Sequence, residues 1–294
     1  MANIIAIQSQ IMSSTIIQRF LAVAVISLLG ACGGASVERW QTLPPTPTLP
    51  AGGQSAYVNV NGAHLYYTVT GHGSPVIFLH GGPANSQYLG NQVAALQATH
   101  QVISLDTRGH GRSTRDATPL SYDQFADDVI GLMNALNIQR ADVFGWSDGG
   151  ITGIDIAMRY PDRIGRLVAF GANTNTAGAT PDLASRPVWI EFIKRAAIEY
   201  AALSPTPQGF DDLSNALNAM YQTMPNWSDA QLQTIRAPVL IMDGDHDEAV
   251  KLEHAHYMAQ TIPGAQLVII PDASHFAFLQ APDLFNSELQ KFLN

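Results

Sequence analysis

The stretch that decides the fold is "DVFGWSDGGITG", residues 142–153. A short apolar run ends in Gly145-Trp146-Ser147-Asp148-Gly149, and Gly150 and Gly153 follow. A serine held between glycines, after a buried strand and before a helix, has a mechanical reading. The chain turns sharply there and lifts the Ser147 hydroxyl clear of the backbone. So tight a turn leaves no room for side chains at Gly145 and Gly149. The helix that follows points its N-terminus at the serine and favours developing negative charge there.

The neighbouring sequence supplies the strands and helices that this reading needs. "PVIFLHG" (75–81), "QVISLD" (101–106), "ADVFGWS" (141–147), "LVAFGAN" (167–173), "PVLIMDG" (238–244) and "QLVIIP" (266–271) are short apolar runs. Most are rich in β-branched residues, as strands buried on both faces are. Helical patterns separate them, among them "YDQFADDVIGLMNALN" (122–137) and "PDLFNSELQKFLN" (282–294). Alternating strands and helices predict an α/β fold with a mainly parallel sheet and right-handed crossovers. "AYVNVNGAHLYYTVTG" (56–71) alternates apolar and polar residues around Asn61-Gly62, which predicts an antiparallel hairpin ahead of that sheet. Residues 56–173 and 238–294 then form the core. The interval 174–237 is too long for a simple crossover. It contains "VWIEFIKRAAIEYAALS" (188–204) and "LSNALNAMYQTM" (213–224), a helical cap insertion over the carboxyl edge of the sheet, where such folds bind ligands.

Composition narrows the function. The 294 residues are 46% hydrophobic and 13% charged, with a net charge of −9. Such a chain buries a large core, and it lacks the basic balance of a nucleic-acid binder.

A serine hydroxyl is a weak nucleophile without a base. His275, in "PDASHFAF" (271–278), stands between the last predicted strand and the last helix, at the same sheet edge as Ser147. His64, His72 and His100 fall at hairpins and turns and are expected at the surface. His254 and His256, two apart in a predicted helix, face different ways and make a poor metal pair. The acid that orients His275 is sought in "VLIMDGDHDE" (239–248). Asp247 is the first choice, three residues past Gly244, and Asp245 the alternative. The oxyanion needs N–H donors. Asp148 supplies one, and Gly82, in His80-Gly81-Gly82-Pro83, the other. His80 is expected to prop that loop, and Asp106 and Arg108 to pack the Gly-rich turn "LDTRGHGRS" (105–113). Asp148 itself has two readings: a carboxylate at a helix start, or a group that recognises a substrate cation.

The order Ser147, Asp247, His275 is that of serine α/β-hydrolases, which the chain resembles from about Ala56 to its end. "GWSDGGITGIDIAMRYPDRIGRLVAFGANT" (145–174) is similar to the valacyclovir-hydrolase, or biphenyl-hydrolase-like, group. The spacing of "APVLIMDGDHDEAV" (237–250) and "GAQLVIIPDASHF" (264–276) agrees. The resemblance implies an α/β-hydrolase fold and hydrolysis of a small-molecule carboxylic ester through Ser147, Asp247 and His275, with no cofactor or metal. It also implies that Asp148 holds a substrate α-amino group. Prolyl aminopeptidases, carbon–carbon bond hydrolases and a non-catalytic ligand receptor on this scaffold are the alternatives.

The N-terminus has its own signature. Arg19, the apolar run "FLAVAVISLLGAC" (20–32) and Leu29-Gly30-Ala31-Cys32 resemble a bacterial lipoprotein signal over residues 1–31, with either Met1 or Met12 as the start. Cys32 is then the lipidated residue. Residues 32–55, rich in Gly, Pro and Thr, are expected to form a flexible tether to the membrane, the outer membrane facing the periplasm.

Overall fold

The computed structural model describes residues 37–294. Cys32 and the signal segment lie outside them. Among the described residues one eight-stranded sheet forms, in the order β1-β2-β4-β3-β5-β6-β7-β8. The strands are β1 (Gln54–Val60), β2 (Ala63–Gly71), β3 (Ser74–Leu79), β4 (His100–Leu105), β5 (Ala141–Trp146), β6 (Ile164–Phe170), β7 (Val239–Gly244) and β8 (Gln266–Ile270). β1 and β2 form an antiparallel hairpin, β2 lies antiparallel on β4, and β4 to β8 are joined in parallel. The hairpin turns at Asn61 (φ 47°) and Gly62 (φ 80°), two left-handed residues whose twist matches the flanking strands.

Helices cover both faces. Successive strand residues point to opposite sides. Phe144 of β5 meets Phe285, in the helix Pro282–Leu293. Val143 faces Gly153, in the helix Asp148–Arg159. The sheet is therefore sandwiched, and its central strands are buried almost throughout. Arg108, itself buried, clasps Asp128 at 2.8 and 2.7 Å and the Asn61 carbonyl at 2.9 Å. It ties the hairpin turn to the helix Tyr122–Ala135.

Between β6 and β7 the chain forms the helices Pro187–Leu203 and Phe210–Tyr221. This excursion is fastened at its base. Thr174 N–H donates to His254 Nε2 at 3.0 Å, Trp227 N–H to the Thr174 carbonyl at 3.0 Å, and Lys251 N–H to the Gly178 carbonyl at 2.9 Å.

Two expectations need correction. His100 is not a surface residue: it opens β4, pairs with Ser74 and is buried, whereas His64 and His72 are exposed. The tether is not free from Arg39 onward. Arg39 donates to the carbonyls of Pro271 (2.5 Å) and Asp272 (2.9 Å), and Trp40 stacks on His246 at 4.7 Å. Gln280 donates to the Thr42 carbonyl at 2.7 Å, Arg195 to those of Leu43 and Pro44, and Thr46 to Glu199 at 2.5 Å. The segment is a strap, fixed to both the core and the cap.

Candidate active site

Ser147 follows β5 at φ 54°, ψ −118°, a backbone conformation that costs a non-glycine residue on the order of 1–3 kcal/mol. Neighbours hold it there. Its N–H donates to the Phe170 carbonyl at 2.7 Å, and its carbonyl accepts from Ile151 at 2.9 Å. The flanking glycines are needed for room. A Cβ at Gly145 would lie 2.2 Å from the Gly149 backbone, and one at Gly149 2.1 Å from the Leu79 carbonyl oxygen. Gly81, on the facing loop, comes so close that its Cβ would lie 2.5 Å from Ser147 Cβ.

His275 lies in the loop after β8 with its side chain fully enclosed, its ring 5.8 Å from that of Trp146 beside Ser147. Its Nδ1 lies 2.7 Å from Asp247 Oδ2. Its Nε2 is buried without a hydrogen-bond partner among the described residues. Asp247 Oδ1 accepts the Ala249 and Val250 amides, each at 2.7 Å. Burial pushes the Asp247 carboxyl up, but the charge and hydrogen bond of His275 outweigh it and hold it below the usual range. Burial likewise pushes His275 down, yet Asp247, with Glu248 and Asp148 beyond, holds it above the ordinary histidine value. Asp245, the alternative acid, is turned elsewhere. It faces His246 Nδ1 at 2.7 Å and accepts the Ala273 amide at 3.1 Å.

Gly82, at φ 43°, and Asp148 line a small cavity of about 70 Å³ together with Ser147, Tyr122, Trp189 and Tyr221. A larger cavity of about 630 Å³ is lined by Asp247 together with Trp40, Arg186 and Val188. Ser147 does not line it. His80 is buried, its Nε2 accepting the Thr107 amide at 3.1 Å, which braces the Gly81-Gly82 loop against the next strand end. Asp106 accepts the Ser86 amide at 2.8 Å and the Arg112 amide at 2.9 Å, tying the segment after β3 to the Gly-rich turn 105–113.

Two partners escaped the sequence reading, Tyr122 and Tyr221, and two acids of the visible cluster, Glu248 and Asp243, gained roles it had not given them. The Asp148 carboxylate accepts the Tyr122 hydroxyl at 2.7 Å and the Tyr221 hydroxyl at 2.5 Å. Burial pushes Asp148 up, and the two hydroxyls and the Gly82 amide draw it back only in part. Glu248 accepts the His275 backbone N–H at 3.1 Å, and burial with the charge of Asp247 pushes it up to about 7. Asp243 lies buried behind Asp247. Glu248 and Asp243 stand among the acids of one visible cluster, but nothing in the sequence pairs Tyr122 or Tyr221 with Asp148. Among the described residues no group of three or more His, Cys, Asp or Glu side chains could hold a metal ion.

Comparison with known proteins bears on this geometry. The alpha/beta hydrolase family model matches residues 76–288. The chain is 30% identical to the serine hydrolase BPHL of Mus musculus, over 85% of this chain and 89% of that one. It resembles the enol-lactonase from Burkholderia xenovorans LB400 with a TM-score of 0.67 at 27% identity, covering 81% of this chain and 99% of that one. A meta-cleavage product hydrolase from Pseudomonas fluorescens superposes with a TM-score of 0.72 at 25% identity, over 81% and 97% of the two chains.

Proposed function

Because the chain belongs to the alpha/beta hydrolase family, we propose that it is a serine hydrolase that cleaves small-molecule carboxylic esters through an acyl-enzyme. The observation that carries the reading is Ser147 in its strained elbow at the end of β5, with an imidazole in the loop after β8, at the same edge of the sheet, whose Nδ1 is held by Asp247 and whose Nε2 is unpaired among the described residues. With Nδ1–H committed to Asp247, Nε2 is the basic nitrogen. It takes the Ser147 proton as the oxygen attacks the ester carbonyl, and returns it to the leaving alcohol. The Asp148 amide stabilises the oxyanion, and the Gly82 amide, which in the free protein faces the Asp148 carboxyl, is the second donor once it turns to the oxyanion. Water then hydrolyses the acyl-enzyme by the same route. A serine-directed phosphonate should label Ser147, and Ser147→Ala should abolish nearly all turnover of p-nitrophenyl esters. Labelling at another residue, or an active alanine variant, refutes the assignment.

The finer reading is a preference for amino-acid esters. The Asp148 carboxylate lines the same small cavity as Ser147, and its tyrosine partners leave it lone pairs for an ammonium group. A hydrogen bond to a charged group is worth about 1.5–3 kcal/mol, or roughly 10- to 150-fold in kcat/KM. An amino-acid ester should therefore outpace its deaminated analogue by that factor in the wild type and lose the advantage in Asp148→Asn. Equal rates in the wild type would make Asp148 a helix-start residue, with neutral esters or lactones as substrates. The likeness to a meta-cleavage product hydrolase supports a second chemistry on the same residues, carbon–carbon cleavage, which belongs in the same substrate panel.

Location is proposed from sequence alone. A lipidated Cys32 would anchor the domain in a bacterial envelope. Mass spectrometry of the mature N-terminus tests this, and an unmodified chain starting at Met1 or Met12 would sink it.

A further inference from the structure

We propose that Asp243 is a neutral, proton-bearing positioning residue that donates a hydrogen bond to Asp247 and fixes the carboxylate facing His275. The inference rests on the roles given above to Asp247 and His275. Asp243 closes β7 and is fully buried. Its Oδ1 accepts the Gly244 amide at 2.9 Å. Its Oδ2 is sealed from solvent and meets no N–H or hydroxyl donor among the described residues. The buried carboxyl that acts on it most strongly is that of Asp247, four residues on, whose charge and hydrogen bonding raise Asp243 while Asp243 in turn lowers Asp247.

Two ionised carboxylates are both acceptors, so such a contact needs a proton between them. The partners decide which oxygen carries it. Asp247 accepts two amides at 2.7 Å on Oδ1 and faces His275 Nδ1 at 2.7 Å on Oδ2, all of which favour its charged form. Asp243 accepts a single amide. The proton therefore sits on Asp243 Oδ2. Burial, then the charges of Asp247 and Glu248, push the Asp243 carboxyl well above the usual carboxylate range. The pair carries one negative charge and titrates as a unit. Two amides, the imidazole and the Asp243 hydroxyl together occupy the Asp247 lone pairs and lock its plane.

Replacing Asp243 tests this. Asp243→Leu removes the donor and should lower kcat about tenfold, the worth of one hydrogen bond to a charged group. It should also move the acid limb of the kcat/KM profile upward, since an under-bonded Asp247 grips the proton on His275 more tightly. Asp243→Asn supplies an amide N–H in place of the hydroxyl. It should restore most of the activity and return the limb to the wild-type position. If Asp243 were ionised, Asp243→Asn would delete a charge near His275 and move the limb downward, which overturns the proposal.

A second readout does not depend on catalysis. Asp148 and Asp155 are the other aspartates pushed up chiefly by burial and lacking a bidentate arginine. With both replaced by Asn and the remaining aspartates carrying ¹³C at their carboxyls, an infrared band of a protonated carboxylic acid should persist at pH 8. Asp243→Asn should remove it. Absence of the band in the parent refutes the proposal even if Asp243→Asn fails to fold. Its presence stands even if Ser147 proves not to be the nucleophile.

Discussion

Asp247 and Asp245 are two residues apart, in the same acidic loop, and differ in what they touch. Asp247 is enclosed and faces the imidazole, while Asp245, with a side chain 32% exposed, braces the loop through His246 and the Ala273 amide. Asp247→Asn should leave His275 in the wrong tautomer and depress kcat by something approaching 10⁴, the loss seen when a serine hydrolase's acid becomes an amide. Asp245→Asn removes only a half-exposed loop contact and should change kcat by no more than a few-fold. Steady-state kinetics of the two variants checks the pair, and comparable losses in both would refute the division of labour. The meeting of Asp247 with His275 was legible because the ends of β7 and β8 bring their two loops to one edge of the sheet without any side-chain detail. The tyrosines on Asp148 were not legible. Tyr122 opens a helix on the core and Tyr221 closes one on the cap, and their meeting on one carboxylate depends on side-chain directions that no periodicity encodes.

At the level of elements, the strands were readable because apolar runs buried on both faces leave an unbroken sequence trace. The way the cap is fastened to them was not. His254 looked like half of an unconvincing metal pair. It proves to be a buried acceptor for the Thr174 amide at the start of the cap excursion, while His256 is exposed on another face of the same helix. Burial, then the charge of Lys251, lowers its pKa to about 4. Unfolded, a histidine titrates near 6.5. Below pH 6.5 the unfolded chain takes up a proton that the native His254 refuses, so its contribution to stability is present at neutral pH and is lost as pH falls toward 4. Between pH 7 and pH 4.5 the loss from this one group is about 2 kcal/mol. His254→Gln retains a side-chain acceptor and does not titrate. Urea melts at the two pH values should show the wild type losing about 2 kcal/mol more than the variant. Equal losses would mean that His254 ionises in the native state without cost.

Over the whole molecule, the strap shows why one part of the fold left no trace in the sequence. "RWQTLPPTPTLP" (39–50) has the composition of a linker, and prolines that lack an N–H cannot join a sheet or a helix interior. Proline does keep its carbonyl, as every residue does. The strap is held largely by such carbonyls, which accept from Arg195 on the cap and from Gln280 on the core. Acceptors common to every residue carry no sequence signal, and their donors lie more than 150 positions away. Gln280 also accepts the Ser274 amide at 2.8 Å, so the strap, the cap helix and the loop bearing His275 share one hydrogen-bond network. Each such bond adds about 0.5–1.5 kcal/mol net. Several are only partly buried, so deleting residues 37–48 should remove about 2–4 kcal/mol in total. For a chain of this size that lowers Tm by roughly 5–10 °C. Arg195→Ala cuts only the cap-side link and should produce a smaller fall, with faster amide exchange in Pro187–Leu203 and little change in Pro282–Leu293. Calorimetry with hydrogen exchange separates the two effects. A truncated protein that melts with the full-length chain would show that the strap lies on the fold without holding it.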